Sequence, residues 1–105
     1  MKRYRIIEAR VAAYPVLHLT FDDGVEGDYD IGPFIERGPM FAPLKDRAFF
    51  EAVAIGGNGR WFGWNLDHDG EEIDFSTDGA RAEIERQNVE EMARQYREGR
   101  IAAAE

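Results

Sequence analysis

The 105-residue sequence contains no cysteine. That excludes a thiol nucleophile, a thiolate metal site and a disulfide framework, and it fits a reducing compartment, with a cytoplasmic location as the expectation. Serine is nearly absent as well. Ser76 is the single one, and it reads as a helix cap, which gives nucleophilic catalysis little support. Thr20 and Thr77 have no obvious base beside them. The two histidines, His18 and His68, are far apart in sequence. Long apolar runs are missing, and the first residues, MKRYRIIEAR, are charged. Neither a signal peptide nor a membrane span is expected. Positive charge is in short supply: 13 Lys and Arg face 21 Asp and Glu, for a net charge of −8. Nucleic-acid binding needs phosphate neutralisation and is therefore not expected. A basic protein partner is compatible with this charge. Eleven of the 13 basic residues are Arg, which suits bidentate internal ion pairs.

The length is that of one domain, with roughly two-thirds of the unfolded surface available for burial. There is no repeat, low-complexity tract or linker. Tyr4 to Val11 reads as a strand with Arg5, Ile7, Ala9 and Val11 on one side. Pro15 interrupts, and Val16 to Phe21 is a second strand. Val25 to Ile31 is a third, with Val25, Gly27, Tyr29 and Ile31 alternating against Glu26, Asp28 and Asp30. The register of this hairpin follows from burial. A two-residue Asp23-Gly24 loop would mix apolar and acidic residues on one face. A three-residue loop with Gly24 left-handed pairs Phe21 with Val25 and Leu17 with Tyr29, so the apolar faces coincide.

GPFIERG reads as a short helical turn framed by Pro33 and Gly38. Pro43 is the expected starter of a second short helix carrying Phe49 and Phe50. Val53–Ile55 and Trp61–Trp64 form a second hairpin around Asn58-Gly59, a type I′ turn signal. It sets Ile55 opposite Phe62 and Val53 opposite Trp64. Ser76 or Thr77 caps a helix from about Asp78 to Arg97, with Ile84, Val89, Met92, Ala93 and Tyr96 as its sparse apolar positions. Glu90–Arg94 and Arg94–Glu98 are the expected i,i+4 pairs. The fold expected is α+β: a small curved antiparallel sheet of about five strands, short helices and one longer C-terminal helix. Residues 1–76 hold the sheet and short helices, and 77–105 the helix and a frayed tail.

Several segments together resemble one family. They are LTFDDG, then YDIGPFIERGPMFAPLKDRAFFEAV, then an aromatic strand ending GWN. The chain is similar to the small bacterial domain-of-unknown-function family numbered 2442. Phe21, Asp23, Gly24, Asp30, Gly38, Pro39, Phe41, Leu44, Asp46, Phe50 and Trp64 fall at places matching its pattern, over roughly Arg5 to Trp64. The resemblance implies a small α+β domain with a curved antiparallel sheet and no established activity. It also implies two roles seen among relatives: an antitoxin-like member of a two-gene pair with a small basic partner, or a DNA-linked transcriptional regulator. DHDGEEIDFSTDGARAEIE replaces the family's usual ending, and no second helix follows for a helix-turn-helix.

Three segments offer chemistry. In DFSTDGARAEIE, Asp74, Ser76, Asp78, Gly79 and Glu85 fall at positions one, three, five, six and twelve of a calcium loop. Arg81 stands where that loop has an apolar residue, and the competing reading is a capped helix start with acids near its positive end. Asp67-His68-Asp69 offers two carboxylates and an imidazole, against the reading of a polar loop before Gly70. In the preferred register His18 lies opposite Asp28, with Glu26 and Asp30 nearby. That face is a candidate contact for a cation or a basic partner, or a solvated outer face neutralised by Arg3, Arg5 or Arg10. The expectation is a protein-interaction module without catalytic residue, metal or cofactor. His18, Glu26, Asp28 and Asp30 are its partner-contact candidates, and Met92 and Tyr96 are candidates for a homodimer through the C-terminal helix.

Overall fold

The first hairpin forms in the register that burial dictates. In the computed structural model, which describes residues 3–104 and side chains through Gly99, β1 (Ile6–Ala13), β2 (Val16–Phe21) and β3 (Glu26–Asp30) make an antiparallel sheet in that order. Leu17 pairs with Tyr29, His18 with Asp28 and Thr20 with Glu26. The Phe21 N–H donates to the Val25 carbonyl at 2.8 Å, and Gly24 turns the chain at φ 88°. Only a residue without Cβ adopts that φ cheaply.

β1 departs from the simple alternation expected for it. Ile6 is buried, whereas Ile7 is 64% exposed. The pairing slips between Ile6, opposite Phe21, and Glu8, opposite Thr20. One extra residue at this point moves each following side chain to the other face, so Ile6 and then Ala9 and Val11 reach the core.

A second sheet holds β4 (Ala54–Gly56), β5 (Trp61–Trp64) and β6 (Ile73–Ser76). Asn58 (φ 57°) and Gly59 (φ 91°) form the expected type I′ turn, closed by the Arg60 N–H to the Gly57 carbonyl at 3.2 Å. Ile55 opposes Phe62, as the turn requires. β6 is an addition to the sequence reading, and it pairs Phe75 with Phe62 and Ile73 with Trp64. The single five-stranded sheet is thus corrected to two three-stranded sheets. The chain between β3 and β4 separates them. It contains α1 (Gly32–Ile35), a 3-10 turn (Pro39–Lys45) and α2 (Arg47–Phe50). Pro39 follows Gly38 at the start of the 3-10 turn, and Pro43 lies inside it, so neither begins α2. Asp46 does, accepting the Ala48 and Phe49 N–H groups at 3.0 and 3.4 Å.

Leu17, Leu19 and Phe21 meet Phe50, Phe62, Trp64 and Ile73 in one core. Its polar atoms are paired: Trp64 Nε1 donates to the Phe50 carbonyl at 2.8 Å, and the Tyr14 hydroxyl to the Leu44 carbonyl at 2.9 Å. α3 (Thr77–Ala104) closes one side. The Ser76 hydroxyl caps it by accepting the Gly79 N–H at 3.3 Å. Ile84 seats directly on β3, where a Cβ at Gly27 would lie 2.6 Å from its Cγ2. The helix continues past the expected Arg97 to Ala104, through an alanine-rich stretch of high helix propensity. Met1, Lys2 and Glu105, where the expected frayed tail ends, lie outside the described residues. Its distal half leaves the body of the domain, and the described extents are 59 × 31 × 20 Å. No helix among the described residues is long and apolar enough to cross a membrane.

Candidate functional site

The hairpin register brings His18, Glu26 and Asp28 together. His18 Nδ1 lies 2.8 Å from Asp28 and Nε2 lies 3.2 Å from Glu26. A neutral imidazole has one N–H, so the tautomer sets which of the two carboxylates accepts it. Arg10, opposite His18 on β1, pairs with Glu8 at 3.2 Å. Asp30 is turned away, accepting the Gly32 N–H at 2.8 Å at the entrance to α1. The face expected to present four groups therefore presents three, with both carboxylates directed at the one ring.

The segment with calcium-loop spacing is not a loop. Asp74 and Ser76 lie on β6, and Thr77 onward is helix. Each remaining candidate ligand has another partner. Asp78 takes two hydrogen bonds from Arg60, at 3.0 and 2.7 Å, and one from the Tyr4 N–H at 3.2 Å. The Arg60 bonds, followed by the Tyr4 amide, hold its carboxyl below the usual carboxylate range. Glu85 accepts from Arg81 Nε at 2.9 Å. Arg81 itself is buried. Its guanidinium makes a bidentate pair with Asp23 at 3.0 and 2.9 Å, and it lies 4.2 Å from the Tyr4 ring and 4.9 Å from the Phe21 ring. The residue that breaks the calcium pattern is thus the clamp that fastens α3 to the β2–β3 turn. In Asp67-His68-Asp69, the His68 ring lies 2.8 Å from the neighbouring Asp67 carboxylate on an exposed turn. Among the described residues no three His, Asp or Glu side chains gather as a metal site.

Two surfaces were missed or only half seen in the sequence. The first is an open cleft of about 680 Å³ between the 3-10 turn, α2 and the 65–72 connection. Pro39, Met40, Pro43, Phe49 and Ile73 line it together with Glu71 and Glu72, and the Glu72 carboxylate accepts the Gly70 N–H at 2.8 Å. Met40 is 62% exposed. Asp67 and Asp69 add two carboxylates to the same connection. The available signal was a methionine between prolines, followed thirty residues on by an acidic run. The second surface is the distal stripe of α3, where Val89, Met92 and Tyr96 are 64%, 68% and 67% exposed. The expected Glu90–Arg94 pair gives way to Arg86, which bonds Glu90 at 2.5 Å and Glu83 at 2.6 Å, while Arg94 pairs with Glu91. All these charges lie outside the stripe. Comparison of the chain with family models, curated proteins and solved structures gave no match.

Proposed function

We propose that the protein is an interaction module that takes a basic, partly apolar segment of another protein into the Met40 cleft. One observation carries this reading: prolines, Met40 and Phe49 line the same cleft as Glu71 and Glu72. Such a surface offers area to leucine-like side chains and charge complementarity to lysine or arginine. The net charge of −8 favours the same partner at longer range, and so does the basic partner implied by the resemblance to the family numbered 2442. The hairpin face around His18 is the weaker contact, because Glu26 and Asp28 already share that ring. The alternative of a DNA-linked regulator is disfavoured by the same acidity.

Methionine methyl groups test the reading directly, since Met40 lies in the cleft and Met92 on the distal helix. Titration with a short synthetic peptide of leucine and lysine should shift the Met40 methyl signal. Replacing Glu71 and Glu72 by Lys should weaken binding about tenfold, the scale of a lost pair of charge contacts at an interface rim. A silent Met40 signal, or binding indifferent to that double replacement, rules the cleft out.

A further inference from the structure

We infer that the distal half of α3 pairs antiparallel with the same segment of a second copy of this chain. The apolar stripe has coiled-coil spacing: Val89, Met92, Tyr96 and Gly99 recur at intervals of three, four and three. Val89, Met92 and Tyr96 are uncovered, and Gly99 has open space around it. In an antiparallel helix pair the seam positions alternate across the interface. Met92 then faces the partner's Tyr96 in both central layers, a favourable sulfur–aromatic contact. Val89 faces the partner's Gly99 in both outer layers, large against small. A glycine inside an exposed helix is less favourable than an alanine. At this seam position it makes room for the opposite valine.

Charge selects the occupant and its direction. Residues 87–100 hold three glutamates and three arginines, a net charge of zero in a chain of −8. The whole excess of negative charge therefore lies outside this segment. An acidic protein of this kind can approach a copy of itself along a neutral helix. Antiparallel pairing leaves the two acidic bodies at opposite ends of the helix pair. Parallel pairing sets them side by side, where repulsion is largest within the screening distance of about 8 Å. The neutral flanks Asn88, Ala93 and Gln95 border the seam without like charges. Four layers make a short seam, so the dimer is weak, with a dissociation constant of about micromolar, and comes apart on dilution below that.

The chain lacks cysteine, so introduced thiols report only on the pairing. The full-length variants Val89→Cys and Gly99→Cys leave the Met92 and Tyr96 layers intact. Mixed in a glutathione buffer, they should cross-link at least about fivefold more than an Arg94→Cys control on the outer face, because only paired positions meet disulfide geometry. Each variant alone should match that control. Sedimentation of the unmodified protein should shift with concentration, and Met92→Asp should abolish the shift. The inference fails if either variant alone links as readily as the mixture. It also fails if the protein sediments as a monomer at about millimolar concentration, far above the expected dissociation constant. Response of the Met92 methyl to the basic peptide, with none to concentration, would assign the stripe to a different protein. This inference stands apart from the cleft, because Met40 and Met92 answer separately.

Discussion

Between Thr77 and Gln87, α3 buries Ala80, Arg81 and Ile84, while between Asn88 and Gly99 it leaves Val89, Met92 and Tyr96 open to solvent. The two stretches are alike in kind. Each mixes arginine and glutamate, each has apolar residues at helical spacing, and each forms ion pairs along the helix. What differs lies opposite them. The first stretch meets Gly27, which has no side chain to hold Ile84 off, together with Tyr4, Phe21 and Asp23 around Arg81. The second leaves its apolar side chains Val89, Met92 and Tyr96 exposed. A helix face is buried by its complement, and its own composition does not decide the outcome.

The sharpest way to break this contrast is to remove the clamp. Arg81→Ala should cost about 3 kcal/mol, since it strips a buried guanidinium from its carboxylate and two rings. Arg81→Lys should recover little of that, because an ammonium cannot make the bidentate pair. Urea denaturation measures both. A loss below about 1 kcal/mol for the alanine variant would mean that the clamp is incidental.

A matched pair of truncations comes next in size. Ile84→Ala should cost about 2–4 kcal/mol, as expected for a fully buried aliphatic side chain. Val89→Ala should stay within about 0.5 kcal/mol, the usual range for an exposed site. Equal losses at the two positions, measured at low protein concentration, would erase the distinction between the halves.

The smallest effect is electrostatic, and it should not distinguish the halves. Hydrogen bonds from Arg86, then from Gln87, lower the Glu83 pKa to about 2. Arg94, then Gln95, lowers that of Glu91. A carboxyl depressed by folding contributes stability above its unfolded value of about 4.3, and the contribution disappears as pH falls through the folded value. Folding stability should therefore decline modestly between about pH 4 and pH 2, and Glu83→Gln should flatten part of that decline. Carboxyl NMR titration gives the individual values. An ordinary midpoint for Glu83 would show that its pairing with Arg86 is lost in solution.

Much of this fold is legible in the residues, and the reasons are local. Asp22-Asp23-Gly24 admits one register that keeps Leu17, Leu19 and Phe21 with Val25 and Tyr29. Asn58-Gly59 demands two positive φ angles in succession. The bulge near Ile7 was hidden because either of two adjacent isoleucines could face inward, and the choice rests on what the neighbouring sheet offers. β6 was hidden because four residues before a helix cap give too short an alternation to identify a strand. Asp30 fits the acidic face by parity alone, yet the turn into α1 draws its carboxylate to Gly32. The Met40 cleft could not be read at all, because its walls come from segments distant in sequence.

The residues alone determined the hairpin registers, the acidic balance, the absence of thiol chemistry and the capped start of α3. Each depends on backbone freedom, charge or covalent chemistry available within a few positions. Tertiary structure decided that there are two sheets, that Arg81 is a clamp inside a false calcium pattern, and which half of α3 is buried. Those outcomes depend on which groups meet across long stretches of chain, and burial free energy is set by that meeting.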